Sequence, residues 1–110
     1  VDPDQVAAAI VAGMNFTWCG QSCGSTSRAF VHADIYDDVV ARVRQHCAQY
    51  VPGLPTDYAT TMGALISRAQ HDKVLSFIAS AKEEGARLAR CPTRQSWQTG
   101  FTWSPPFLQT

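Results

Sequence analysis

Phe16-Thr17-Trp18-Cys19-Gly20-Gln21-Ser22-Cys23-Gly24-Ser25-Thr26-Ser27-Arg28 is the stretch on which the reading of this chain turns. It is dense in Gly, Ser and Thr, and it sets Cys23 two residues after the Gly20-Gln21 pair. Small neighbours leave a thiol accessible and let backbone N–H groups approach whatever the sulfur attacks. That environment suits a nucleophile better than a packing cysteine, although a cysteine is also a small core hydrophobe.

Upstream, Asp2-Pro3-Asp4 has the form of a helix start, with acids at the positive end of the helix dipole and a proline where no N–H is needed. Val6, Ala9, Ile10 and Gly13 recur at helical spacing in a run that is apolar nearly all round, which predicts a buried helix ended by Gly13 and Asn15. Downstream, Arg28-Ala29-Phe30-Val31-His32 has strand composition. Ile35 to Tyr50 then reads as an amphipathic helix capped by Asp34. Ile35, Val39, Val40, Val43 and Cys47 share its apolar face, and Arg42, Arg44 and Gln45 face water. Pro52-Gly53-Leu54-Pro55-Thr56-Asp57 breaks regular structure, and Thr60 to Ser67 is a structured connection. Ser67 caps a long helix running to about Glu84 with Val74, Leu75, Ile78 and Ala81 buried; Gly85 ends it, and Ala86-Arg87-Leu88-Ala89 starts a short strand.

Composition narrows the function. The chain has 110 residues, enough for one modest core. Nine basic and nine acidic residues cancel, so no basic face points to nucleic acid. No apolar run approaches the roughly 18 residues that span a bilayer, and no membrane association is expected. The four cysteines, Cys19, Cys23, Cys47 and Cys91, match no zinc spacing and form no C-x-x-C pair; no metal site is expected, and reduced thiols in a cytoplasmic protein are the simpler reading. A chain that opens on Val1 is expected to start at a cut or processing point.

Several landmarks then fall in one order. Phe16-x-x-x-Gly20-Gln21-x-Cys23, Arg28-Ala29-Phe30-Val31, Ile35-Tyr36-Asp37, Thr61-Met62-Gly63-Ala64-Leu65-Ile66, Gln70-His71-Asp72-Lys73-Val74 and Glu84-Gly85-Ala86 together resemble the catalytic domain of NAD(P)-dependent aldehyde dehydrogenases from Asp2 to about Leu88. Ala64 departs from the proline usual in the Met-Gly-Pro-Leu-Ile connection. The resemblance implies an α/β fold, here a partial catalytic domain over residues 1–90 with the order helix, cysteine loop, strand, helix, helix, short strand.

The resemblance also implies that Cys23 is the nucleophile: its thiolate adds to an aldehyde to give a thiohemiacetal, a hydride leaves for the nicotinamide of NAD or NADP, and water hydrolyses the thioester. The Cys23 N–H and an asparagine amide from elsewhere would hold the oxyanion. Gln70 and Lys73 match positions that contact a cofactor ribose. From the residues alone, Lys73 is otherwise a solvated charge, His32 and His71 are surface or satisfied residues, and Trp18 is either an aromatic wall beside the nucleophile or plain packing.

No glycine-rich strand–turn–helix fingerprint for a dinucleotide occurs in the sequence. By the resemblance, the general-base glutamate and the oxyanion asparagine belong before Val1, and a further cofactor-binding glutamate after Thr110. The expectation is therefore a piece of an oxidoreductase that is inactive alone and binds no cofactor alone. Residues 91–110 carry Trp97, Trp103, Pro105 and Pro106 without periodicity, an irregular tail. The tail can be back-translated so that a shifted frame carries the Gly-x-aromatic-x-x-Pro-Thr segment that the resemblance implies there, and a frameshift near Cys91 is the expectation. Two other roles stand beside the enzyme: a non-catalytic piece that associates with full-length subunits or with itself as a homo-oligomer, and a thiol or metal module built on Cys19 and Cys23.

Overall fold

A computed structural model describes residues 1–90 and 106–109. Helix α1 spans Pro3–Gly13. Asp2 caps it in an extended conformation, its carboxylate accepting from the Asp4 N–H at 2.9 Å, and Pro3 occupies a first-turn position whose N–H has no partner in any helix. Helix α2 spans Tyr36–Cys47, with Asp37 and Asp38 in its first turn and Arg44 in its last, each sign at the end of the dipole that favours it.

The two helices pack through one apolar seam. Ala7 and Val11 of α1 meet Val39, Val43 and Cys47 of α2, and all five are buried. Val6, Ile10, Phe16, Val31, Ile35 and Tyr50 lean on the margin of this cluster. Phe16 and Tyr50 meet edge to face with ring centroids 5.3 Å apart. On the polar side of the seam, Asp4 Oδ1 lies 3.1 Å from His46 Nε2 and 3.6 Å from Arg42 Nη1, while Arg42 Nε donates to Asp38 at 2.9 Å.

Beyond α2 the chain makes a closed excursion. Val51 N–H donates to Thr61 Oγ1 at 2.7 Å, Thr61 N–H returns to the Val51 carbonyl at 2.9 Å, and Pro52 bridges Met62 in parallel register. Met62 and Leu65 are buried behind it. Helix α3 spans Arg68–Glu83, capped by Ser67, whose Oγ accepts from the Gln70 N–H at 3.2 Å. Gly85 takes φ +94°, a left-handed conformation that ends the helix and turns the chain into β1, Arg87–Arg90. Strand β1 pairs antiparallel with β2, Pro106–Gln109, with Arg87 opposite Gln109 and Arg90 opposite Pro106.

Four expectations need correction. The α1 helix is not buried all round: Ala9 and Ala12 are exposed, because an apolar sequence allows burial on every side but α2 covers one face only. Arg28–His32 forms no strand; a strand needs a neighbouring ladder, and this segment runs unpaired with Phe30 fully in solvent. Asp34 is not the cap of α2. It sits inside a single turn of 3-10 helix, Ala33–Ile35, and donates its N–H to His32 Nδ1, so that α2 starts at Tyr36. Val74, Leu75, Ile78 and Ala81 are not buried: α3 has no buried residue, and Leu75 and Phe77 on it are 44% and 65% exposed.

Of the two expected strands, only the one near Ala86–Ala89 forms. The expected irregular tail carries β2 at 106–109, while the frameshift expectation and Trp97 and Trp103 fall on residues outside those described. Among the described residues no helix is long and apolar enough to cross a membrane.

Stability should therefore concentrate at the α1–α2 seam. Val43→Ala removes two buried methyl groups and is expected to cost about 2 kcal/mol, whereas Gln45→Ala on the exposed face of α2 should change stability by less than about 0.5 kcal/mol. Urea midpoints of the two variants check this; equal midpoints would remove the seam from its central place.

Candidate active site

The cysteine loop leaves α1 and returns to it. Asn15 and Cys19 flank a short 3-10 turn, Phe16–Trp18, and both take left-handed conformations, with φ of 53° and 58°. The Cys19 N–H donates to the Phe16 carbonyl at 2.8 Å and the Gly20 N–H to the Asn15 carbonyl at 3.1 Å, which closes the turn. Further on, the Thr26 N–H donates to the Gly13 carbonyl at 2.8 Å and pins the far end of the loop to the last turn of α1. Gly13 lets the two segments come close, since a Cβ at that position would force the Thr26 side chain to shift.

Cys23 sits at the outer tip. The Ser25 N–H donates to the Ser22 carbonyl at 3.1 Å, which makes Cys23 and Gly24 the centre of a tight turn, and Ser22 Oγ accepts from the Gly24 N–H. The Cys23 side chain is exposed, and its N–H donates to no acceptor among the described residues. The small residues of the quoted stretch thus hold a thiol and a free amide at one surface point.

Cys19 is different. Its Sγ lies 3.2 Å from the Gly63 carbonyl oxygen, to which it donates, and burial pushes its thiol above the ordinary cysteine value. Two residues on, Gln21 Oε1 accepts from the Ile66 N–H at 2.9 Å. These contacts bring the cysteine loop against the connection before α3 and form one wall of a cleft of about 340 Å³, with Cys19, Gly20 and Gln21 on one side and Leu65, Ile66, Gln70 and Val74 on the other.

Of the three residues expected at the site, the fold brings only Gln70 into this cleft. Cys23 lies outside its lining, and Lys73 stands exposed on α3. Cys19 and Gln21 carry contacts that the residue pattern left without a role. The Gly20-Gln21 pair was visible as a motif, but nothing in it says where a glutamine amide 45 residues from its partner will bond. Trp18 is 71% exposed and is not among the residues that line this cleft. No cluster of three or more His, Cys, Asp or Glu side chains able to hold a metal ion occurs among the described residues.

Comparison with known proteins gives this arrangement a context. The model of the aldehyde dehydrogenase family matches residues 1–109. Aldehyde dehydrogenase tropH of Talaromyces stipitatus is 59% identical over 88 residues, which is 79% of this chain and 17% of that protein. Betaine aldehyde dehydrogenase of Brucella anthropi is 38% identical over 109 residues, 94% of this chain and 22% of that protein. Among solved structures, indole-3-acetaldehyde dehydrogenase AldA of Pseudomonas syringae, in complex with NAD+ and IAA, superposes with a TM-score of 0.83 at 30% identity, covering 98% of this chain and 22% of AldA. Aldehyde dehydrogenase C of the same species, with NAD+ and octanal, gives 0.85 at 26% identity, covering 97% of this chain and 22% of that one. The chain spans about a fifth of the length of the relatives it matches. With the family match running through both core helices, the cysteine loop and α3, the chain belongs to the aldehyde dehydrogenase family.

Proposed function

We propose that this chain is the nucleophile-bearing segment of an enzyme that oxidises an aldehyde to a carboxylic acid with NAD or NADP, and that Cys23 is the attacking sulfur. The observation that carries the reading is the exposed Cys23 thiol beside its own N–H, which has no acceptor among the described residues, on a turn whose base is closed at Gly13 and Thr26. The thiolate adds to the aldehyde carbon; a C–S bond forms, the carbonyl π pair moves to oxygen, and the Cys23 N–H donates to that oxygen. Further support comes from AldA and aldehyde dehydrogenase C, each solved as a cysteine-to-alanine mutant with NAD+ and a second small molecule, IAA or octanal.

The cofactor fits these residues along one edge only. Gln70 and Lys73, at the start of α3, offer an amide and an ammonium, donors suited to ribose hydroxyls. No Gly-rich phosphate cradle lies in the sequence, so the rest of the dinucleotide needs other residues. When bound, the cofactor supplies the hydride acceptor for oxidation. Catalytic residues of one reaction act as a unit, and a lone nucleophile retains little of the full rate.

A second reading is favoured by the apolar side chains left in solvent on and just before α3, Ile66, Leu75 and Phe77: the chain associates with full-length subunits or with itself.

Three outcomes follow. The chain with aldehyde and NAD+ should give no absorbance change from reduced nicotinamide above a no-protein blank; sustained turnover would show that the segment is complete. Iodoacetamide at mildly alkaline pH, with peptide mapping, should label Cys23 at least about tenfold faster than the buried Cys47. Cys19 labelling should keep rising at a pH where an ordinary cysteine has levelled off, because the thiolate reacts and its formation is pushed up. Cys47 labelled first would sink the assignment of Cys23. Size-exclusion chromatography should show the chain eluting as a multimer, and Phe77→Ser should shift it towards monomer; a monomer in both forms would leave the second reading without support.

A further inference from the structure

We propose that Cys19 and Gln21 are positioning residues for Cys23: together they clasp the cysteine loop to the Gly63–Ile66 connection and set where the Cys23 turn stands relative to the start of α3. The inference rests on the reading of Cys23 as the nucleophile and Gln70 as a cofactor contact, and it concerns residues which that reading does not use.

Two side chains two positions apart reach 44 and 45 residues along the chain to the same short connection. Cys19 Sγ donates to the Gly63 carbonyl at 3.2 Å, and Gln21 Oε1 accepts from the Ile66 N–H at 2.9 Å. One contact gives a hydrogen and the other takes one, so neither can be swapped for the other by sliding the loop along the connection. Between them the backbone turns through two successive left-handed residues, Cys19 at φ 58° and Gly20 at φ 68°. A non-glycine residue avoids that conformation unless its surroundings hold it, and the thiol contact with Gly63 is such a hold.

Short rigid links run outward from the clasp on both sides. Ser22 alone separates Gln21 from Cys23, and the Ser22–Ser25 hydrogen bond closes that turn. Ser67 alone separates Ile66 from α3, and its side chain bonds the Gln70 N–H. The far end of the loop is already pinned at Gly13 and Thr26. With that end alone the loop would pivot about its base; the clasp supplies the second fixed point. Placement of this kind matters for carbonyl addition, where a shift of about 1 Å costs on the order of 100-fold in rate.

The test uses the full chain labelled with nitrogen-15. Gln21→Glu keeps an acceptor of equal reach, Gln21→Met keeps the length without the acceptor, Cys19→Ser keeps a donor and Cys19→Ala does not. Amide exchange at Ile66 and backbone order at Cys23 are read against α2 amides as an internal reference. In the unaltered chain the Ile66 amide should be protected. Gln21→Met should exchange there about tenfold faster and lose order at Cys23 with α2 unchanged, and Gln21→Glu should restore both. Cys19→Ala should loosen Cys23 where Cys19→Ser does not. An Ile66 amide that exchanges in the unaltered chain as fast as a free peptide would overturn the proposal, as would Gln21→Glu behaving like Gln21→Met. Should Gln21→Met lose protection in α2 as well, the unaltered chain and the Cys19 pair decide. None of these readouts needs Cys23 to react, so an intact clasp with an inert Cys23 would fault the functional reading alone, and a reactive Cys23 with no clasp would fault this inference alone.

Discussion

The dry contact of Ala7 and Val11 with Val39, Val43 and Cys47 is the interaction on which the other features hang. Both ends of the cysteine loop are referred to it: the loop leaves from the last turn of α1, is tied back to Gly13 through Thr26, and continues through Val31 and Ile35 at the margin of the seam into α2. Five small or medium apolar side chains make a thin core, and burial of that size fixes two helices rather than a whole domain. The polar contacts of Asp4 with His46 and Arg42 add little stability, since solvent screens partly exposed pairs.

The site uses this frame sparingly. Cys23 is held by backbone hydrogen bonds on a turn of small residues, the arrangement that leaves a thiol and an amide free together. Cys19, four positions earlier, is spent on structure: burial raises its thiol and the Gly63 carbonyl accepts from it. Two cysteines of one loop thus differ through burial and hydrogen bonding, and their neighbours differ too: Phe16 and Trp18 precede Cys19, whereas Gly, Ser and Thr surround Cys23. On the other side of the cleft, α3 is well capped and well ended but keeps Leu75 and Phe77 in solvent.

Much of the local structure was legible because its causes are local. Asp2 and Pro3 start α1, Ser67 starts α3, and Gly85 ends it at φ +94°, each through backbone chemistry acting over three or four residues. The face of α2 carrying Val39, Val43 and Cys47 follows from helical spacing. The misreadings share a cause too. Arg28–His32 has the composition of a strand and α3 the stripe of a buried helix, but pairing and burial belong to two elements at once, and composition reports on one. Asp34 looked like a cap because its side chain is of the right type; instead it lies inside a 3-10 turn capped by the ring nitrogen of His32, and α2 starts from Ile35 without a side-chain cap.

By itself the sequence determined where α1 and α3 begin, where α3 stops, which face of α2 is apolar, and the family through its ordered landmarks. Only the tertiary structure decided that Gln70 lines a cleft with Gln21 while Cys23 stands outside it, that Cys19 is a donor to Gly63, and that α3 keeps an open side. The physical reason is range. Capping and periodicity act within a few residues of the chain, whereas the bonds that join position 19 to 63 and 21 to 66 exist only once the core has brought distant segments within reach.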